Sequence, residues 1–255
     1  TLTYGWRAGS GLQSGIDAVR NADSVWLDAF LASGNDGSLS LHACADARAL
    51  RARVEAWIDA HADLLVSILR TNGAPQAALQ GLRSAQILCA LRDGVFGAQG
   101  MNALMARQLG ARFGFDATRV WYHGRPVIVT RNDYSRQLFN GDIGIALNGP
   151  DGLRVWFEVG HADGGVGLRS FSPRALPGHE TAWAITIHRS QGSEYANVAV
   201  VLPPEPDQRI LSRELVYTAI SRATQSAEIW AMPEALRAAV NRPIQRHGGL
   251  RERLD

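Results

Sequence analysis

Lysine is absent from all 255 residues, so each of the 26 basic side chains is an arginine. The phosphate-binding loop of nucleotide hydrolases needs the lysine of its GK[ST] string to reach the β- and γ-phosphates, so this chain cannot contain that loop. No apolar strand ends in the Asp-Glu pair that would hold magnesium and activate water. Cysteine is almost absent too. Cys44 and Cys89 make no CxxC and no His/Cys cluster at metal-ligand spacing, which weighs against a disulfide scaffold and a zinc site and fits a reducing cytoplasm. No apolar run is long enough to span a membrane, and no charged-then-apolar leader follows Thr1. With Thr1 and not Met at its start, the sequence is expected to be part of a longer protein. A net charge of +2 permits a nucleic-acid partner without selecting one.

What is present falls into three stretches. In residues 1–118, "SGIDAVRNADSVWLDAFLAS" reads as a helix and "GNDGS" as a loop. "ADARALRARVEAWIDAHADLLVSIL" places Leu50, Val54, Trp57, Ile58, Leu64, Leu65 and Ile68 at three-to-four spacing, an amphipathic helix. "SAQILCAL" reads as a short buried strand that runs through "RDGVFGAQG" into the helical "MNALMARQLGARF". The amides of that glycine-containing loop offer a seat for an anion such as a nucleic-acid phosphate, and a plain strand-to-helix turn fits the same residues.

Residues 119–178 differ. "GRPVIVTRN", "GDIGIAL", "LRVWFEV" and "GLRSFSP" are short β-type runs between Gly, Asn and Asp turn signals, which predicts a small inserted β-barrel. Asn140-Gly141 reads as a tight turn, and Asn140 and Asp142 as turn chemistry. Residues 179–255 return to an α/β pattern. "NVAVVLP" and "SAEIWAM" are strands, and "SRELVYTAISRAT" and "PEALRAAVNR" are helices around a parallel sheet, where ligands gather at the carboxyl ends of strands.

Within this last stretch, "TIHRSQGSE" crowds a hydroxyl, an imidazole, a guanidinium, an amide and a carboxylate into residues 186–194, more chemistry than a core element needs. With "RELVYTAISRAT" it closely resembles motifs V and VI of superfamily 1 helicases, and among them the RecD family, the alpha subunit of exodeoxyribonuclease V. "LTYGWR" resembles motif IV, and "ILCALRDGVFGAQGMNALMARQL" and "GRPVIVTRNDYSRQLFNGDIGIAL" also resemble RecD segments. Residues 25–85 carry no such likeness. One departure is Arg189, where the family often has lysine; the charge is kept.

The resemblance implies an α/β fold: the second RecA-like domain of a P-loop NTPase-type motor, interrupted by a small Src-homology-3-like β-barrel. ATP with Mg2+ would be held mainly by a first RecA-like domain that this sequence does not contain. Single-stranded DNA, that first domain and other exodeoxyribonuclease V subunits are the implied partners, and no membrane is. By the same resemblance Arg222 is the motif VI arginine finger and Arg7 the motif IV arginine, both cations for the γ-phosphate. Gly192 lets the backbone approach nucleotide, and Glu194 accepts from ribose or orients arginines. Thr186 and His188 face single-stranded DNA, and Gly97, Gly100 and Asn102 form the phosphate seat. Each has a plainer rival: a solvated carboxylate for Glu194, a satisfied buried imidazole for His188, a carbonyl cap for Arg222. Two parents other than an exodeoxyribonuclease V subunit fit the residues, a conjugative relaxase carrying a RecD-like module and a non-catalytic DNA- or protein-binding module. A GxxxxGK[ST] stretch with a magnesium-binding Asp-Glu upstream separates motor from binding module.

Overall fold

The computed structural model describes residues 10–70, 74–160 and 166–244. Two helices open it, α1 (Ser10–Asn21) and α2 (Ser24–Ser33), where the periodicity alone predicts one. The break is at Ala22, with φ +52°, and at Asp23, whose carboxylate accepts from the amides of Val25 and Trp26 and so starts a new helix. The following "GNDGS" is not a plain loop. Gly34, at φ +68°, ends α2, and Gly37, at φ +64°, turns a hairpin of β1 (Asn35–Asp36) and β2 (Leu39–His42). The long amphipathic stretch divides likewise at His61 into α3 (Ala47–Ala60) and α4 (Ala62–Leu69), and α5 (Pro75–Ser84) follows. Then come β3 (Ala85–Cys89) and α6 (Ala98–Phe113) as the sequence predicts.

Four antiparallel strands occupy the middle of the chain: β4 (Arg125–Val129), β5 (Ile143–Gly149), β6 (Gly152–Gly160) and β7 (Val166–Phe171). Two strands of three residues each, β8 (His179–Thr181) and β9 (Ala184–Thr186), lead back. The chain closes with β10 (Tyr195–Val201), α7 (Arg213–Ile220), β11 (Ala223–Trp230) and α8 (Pro233–Asn241).

The main sheet has the order β1-β2-β11-β10-β3-β9 and is parallel apart from the β1–β2 hairpin. Alternation along its strands sends Leu88, Val198, Val200 and Ile229 to one face, against α1, α2, α7 and α8. Ile87, Cys89, Ala199, Val201 and Trp230 go to the other, against α3, α4, α5 and α6. The product is an α/β/α sandwich. Its apolar strands are continuous runs because both faces are covered.

The middle strands make a second sheet in the order β7-β6-β5-β4-β8, antiparallel throughout, with no ladder between β7 and β8 among the described residues. β8 carries this sheet past residue 178 to Thr181. Val127, Val129, Ala146, Val155 and Phe157 form its own core, while Ile145 and Leu147 on the opposite face of β5 join the cluster around α5. Gly144 is the small residue this packing needs, since a Cβ there would stand 2.5 Å from the Phe157 ring. Among the described residues, no helix is long and apolar enough to cross a membrane.

Candidate functional site

The segment that carries the dense chemistry begins at one end of the main sheet and finishes at the other. Thr186, the last residue of β9, is level with Cys89, which is level with Val201 at the carboxyl end of β10. Tyr195, where β10 begins, is level with Ala223 at the opposite end. Six residues of strand separate Tyr195 from Val201, a rise of about 20 Å. Residues 187–194 therefore cross the whole height of the sheet, first as a 3-10 turn (Ile187–Ser190) and then through Gly192 at φ +90°. Ile187 is buried in the α7-side core, and Ser190, fully buried, donates its hydroxyl to the Ile187 carbonyl at 2.7 Å. These two pin the crossing, while His188, Gln191, Gly192 and Glu194 are exposed.

At the amino end of the strands stand Arg222, Gly192 and Glu194 of the expected nucleotide-side residues. Arg222 sits between the end of α7 and the start of β11, half-buried, and its carbonyl accepts from the Tyr195 amide at 2.9 Å. The guanidinium donates to the Thr218 carbonyl at 3.2 Å, the Ser193 carbonyl at 3.3 Å and the Ser221 hydroxyl at 3.3 Å. All of these acceptors are neutral, and Arg222 makes no ion pair among the described residues. The two backbone carbonyls among them are what a carbonyl cap predicts, and the charge has no counter-ion among the described residues. Gly192, Ser193 and Glu194 line a cleft of about 450 Å3 with Leu79 and Arg83 of α5 and with Asp142 and Glu158 of the small sheet. Arg83 and Glu158 form an ion pair across its side. Burial pushes the Tyr195 phenol up, against the pull of Arg222 and Arg83, and burial raises the Asp142 carboxyl, against the hydrogen bond it accepts from the Phe139 amide.

At the carboxyl end stand Thr186, half-buried, and His188, exposed. His188 and Gln191 line a second cleft, about 590 Å3, with Arg209, Ser212, Glu214 and Thr218 beside α7. The crossing segment lines both clefts, through Gly192, Ser193 and Glu194 in the first and Ile187, His188 and Gln191 in the second.

The loop between β3 and α6 is tightly self-contained. A Cβ at Gly97 would stand 2.2 Å from the Asp93 carbonyl oxygen, and one at Gly100 2.3 Å from that of Gly94. The amides of Gly97, Ala98 and Gln99 donate to the carbonyls of Gly94, Leu91 and Arg92. These are donors that a phosphate seat would use, so the glycines serve first to let the loop fold onto the helix start. Asn102 has an equally definite task. Its amide nitrogen donates to the carbonyls of Thr181 (2.9 Å) and Ala184 (2.8 Å), and its oxygen accepts from the Ala184 amide (2.9 Å). It fastens α6 to the junction of β8 and β9. Arg7 lies outside the described residues. Among the described residues no group of His, Cys, Asp and Glu is arranged to hold a metal ion.

Residues that local sequence reading does not single out also converge here. Glu180 of β8 accepts from Arg92 at 2.9 Å and from Arg189. Thr181 beside it accepts from the buried Arg125, whose guanidinium also lies 4.6 Å from the Trp121 ring centroid. Nothing in the local pattern announces a carboxylate whose partner is 88 residues away.

Comparison with known proteins agrees with the motifs. The family of UvrD-like helicase C-terminal domains matches residues 181–228, a span that covers both ends of the crossing and Arg222. RecBCD enzyme subunit RecD of Mycobacterium tuberculosis is 40% identical over 182 residues, 71% of this chain and 31% of that protein. The Haemophilus influenzae subunit of the same name is 35% identical over 68% of this chain and 25% of its own length. The ATP-dependent RecD2 DNA helicase of Deinococcus radiodurans is 31% identical over 80% of this chain and 29% of its own length. This chain thus spans under a third of the length of these relatives. Among solved structures, a Bacteroides Pif1 helicase in complex with ADP-AlF3 and single-stranded DNA overlaps 90% of this chain and 51% of its own, with TM-score 0.41 and 14% identity.

Proposed function

Because the chain belongs to the RecD family, we propose that it is the second RecA-like motor lobe of an ATP-dependent 5′-to-3′ DNA helicase that acts in double-strand break processing within an exodeoxyribonuclease V assembly. The five-stranded antiparallel sheet is then the inserted Src-homology-3-like barrel. The observation that carries this reading is the crossing segment, one short stretch with Thr186 and His188 at one end of a parallel sheet and Gly192 and Glu194 at the other, where Arg222 makes no ion pair among the described residues.

ATP with Mg2+ supplies the scissile phosphoanhydride and its charge, held mainly by a first RecA-like lobe, since this chain has no lysine for the phosphate-binding loop. Arg222, its guanidinium aimed by three neutral acceptors, stabilises negative charge arriving at the amino end of β10 and β11. Arg7 is proposed as a second such cation. Gly192 keeps the backbone open to the nucleotide, and Glu194 takes the ribose or orients the arginines. Thr186 and His188 bond or pack on single-stranded DNA at the carboxyl end. Gly97, Gly100 and Asn102 serve the DNA track by shaping and anchoring the loop beside it. This chain by itself is expected to hydrolyse no ATP.

The test is Arg222→Ala in the full-length helicase. Loss of an arginine finger costs about three to five orders of magnitude in turnover, with nucleotide affinity largely kept. ATPase stimulated by single-stranded DNA at the wild-type rate in that variant would remove Arg222 from the mechanism.

A further inference from the structure

The Glu180 carboxylate joins three parts of the molecule that the chain builds separately. Glu180 is the middle residue of β8 in the small sheet, paired with Ile128 of β4. One of its oxygens accepts from Arg92, in the loop between β3 and α6, at 2.9 Å. The other accepts from Arg189, in the 3-10 turn directly after His188. Arg189 and Glu180 are largely withdrawn from solvent, at 26% and 30% side-chain exposure, so their attraction is screened less than that of a surface pair. Neither arginine pairs with any other carboxylate among the described residues. The same short strand is fastened from behind, where Thr181 gives its carbonyl to Asn102 and its hydroxyl oxygen to Arg125.

We infer that Glu180 is a positioning residue for the DNA edge, a link through which the seating of the small sheet sets the placement of the turn bearing His188 and of the loop bearing Gly97. This rests on the reading of Thr186 and His188 as DNA contacts. A carboxylate with one guanidinium on each oxygen fixes two loops against one strand. Without its charge the two arginines face each other with nothing between them, and the turn and the loop lose their common reference.

The experiment compares Glu180→Gln, Arg189→Gln and the double variant in the full-length helicase. Stimulation of ATPase is measured against single-stranded DNA concentration, and DNA affinity across a salt series. Each single variant should raise the half-saturating DNA concentration about fivefold, with turnover at saturating DNA within about twofold of wild type. The double variant should be no worse than Glu180→Gln, because Arg189→Gln removes one of the two ion pairs that Glu180→Gln already removes. Glu180→Gln should keep the wild-type salt slope, since it removes no phosphate contact. Tighter DNA binding by Glu180→Gln would overturn the inference, because the carboxylate would then be a competitor with phosphate for the two arginines. Additive losses in the double variant, or a fall in saturated turnover together with a lower melting temperature, would also overturn it. A wild-type ATPase that does not respond to single-stranded DNA would instead remove the underlying DNA reading; a responsive enzyme with a silent Glu180→Gln removes the link alone.

Discussion

Asn102→Ala separates an anchoring role from a DNA-contacting one. The substitution deletes three hydrogen bonds, all to backbone groups at the β8–β9 junction. Each is worth about 0.5–1.5 kcal/mol net, which gives about 3 kcal/mol for the three. Ala184 is 1% exposed, so its amide and carbonyl have no ready access to water as a replacement, which keeps the cost from falling much below that sum. In a protein of this size, about 3 kcal/mol corresponds to a fall in melting temperature of roughly 6–12 °C. Urea unfolding followed by circular dichroism gives the free energy, and a thermal scan gives the second number. Asn102→Asp should do no better than alanine, since it keeps the acceptor but sets a carboxylate against two carbonyl oxygens. A variant with wild-type stability and weakened DNA affinity would refute the anchoring argument and restore Asn102 as a direct phosphate contact.

Two further predictions concern the small sheet. Gly144→Ala drives a Cβ to within 2.5 Å of the buried Phe157 ring, and overpacking of this kind costs about 1–3 kcal/mol; denaturant unfolding should show the loss, and Phe157→Leu in the same chain should recover part of it, whereas an undisturbed midpoint would contradict the packing. Asp133 accepts from Ser135 and from Arg136, which hold its carboxyl down at about 2. A depressed carboxyl contributes stability above its unfolded value of about 3.9 and loses it as pH falls through the folded one. Protection of the Arg136 amide against hydrogen exchange should therefore decline between about pH 4 and pH 2; protection that disappears only above pH 5 would show that the carboxylate is not what holds this loop.

The parallel sheet, its two helical layers and the antiparallel middle were legible because their signals are local: continuous apolar runs for strands covered on both faces, and alternation with glycine turns for the small sheet. Thr186, His188, Gly192, Glu194 and Arg222 stand out as candidates for the same reason, lying in two short strings. Where the sequence misled, a local signal was masked by a longer one. The helical periodicity runs straight across Asp23 and His61, hiding a side-chain cap that starts a helix afresh and a residue at which one helix stops and another begins. β9 has three residues, too few to alternate visibly. Asn102 was placed in the anion seat by the resemblance; the hydrogen-bond partners it has in the fold are 79 and 82 residues distant, and only the folded chain brings them together. Glu180 is the same case with charge in place of an amide.

The crossing from β9 to β10 also has very little rope. Thr186 and Tyr195 differ by about 20 Å in height and lie two strand spacings apart, with β3 between them, so the gap is about 22 Å. An α-helix of the eight residues 187–194 would reach only about 12 Å, so a helical crossover, the usual device between parallel strands, is not available here. Over the nine Cα-to-Cα steps from Thr186 to Tyr195, four in the 3-10 turn at about 2 Å each and five nearly extended at about 3.4 Å each yield about 25 Å. The surplus is a few ångströms. A tether that close to full stretch transmits pulls and not pushes: drawing Gly192 away from the sheet by more than the slack must drag Thr186 with it, while a move in the opposite sense is absorbed. A connection of this kind has a direction built into it.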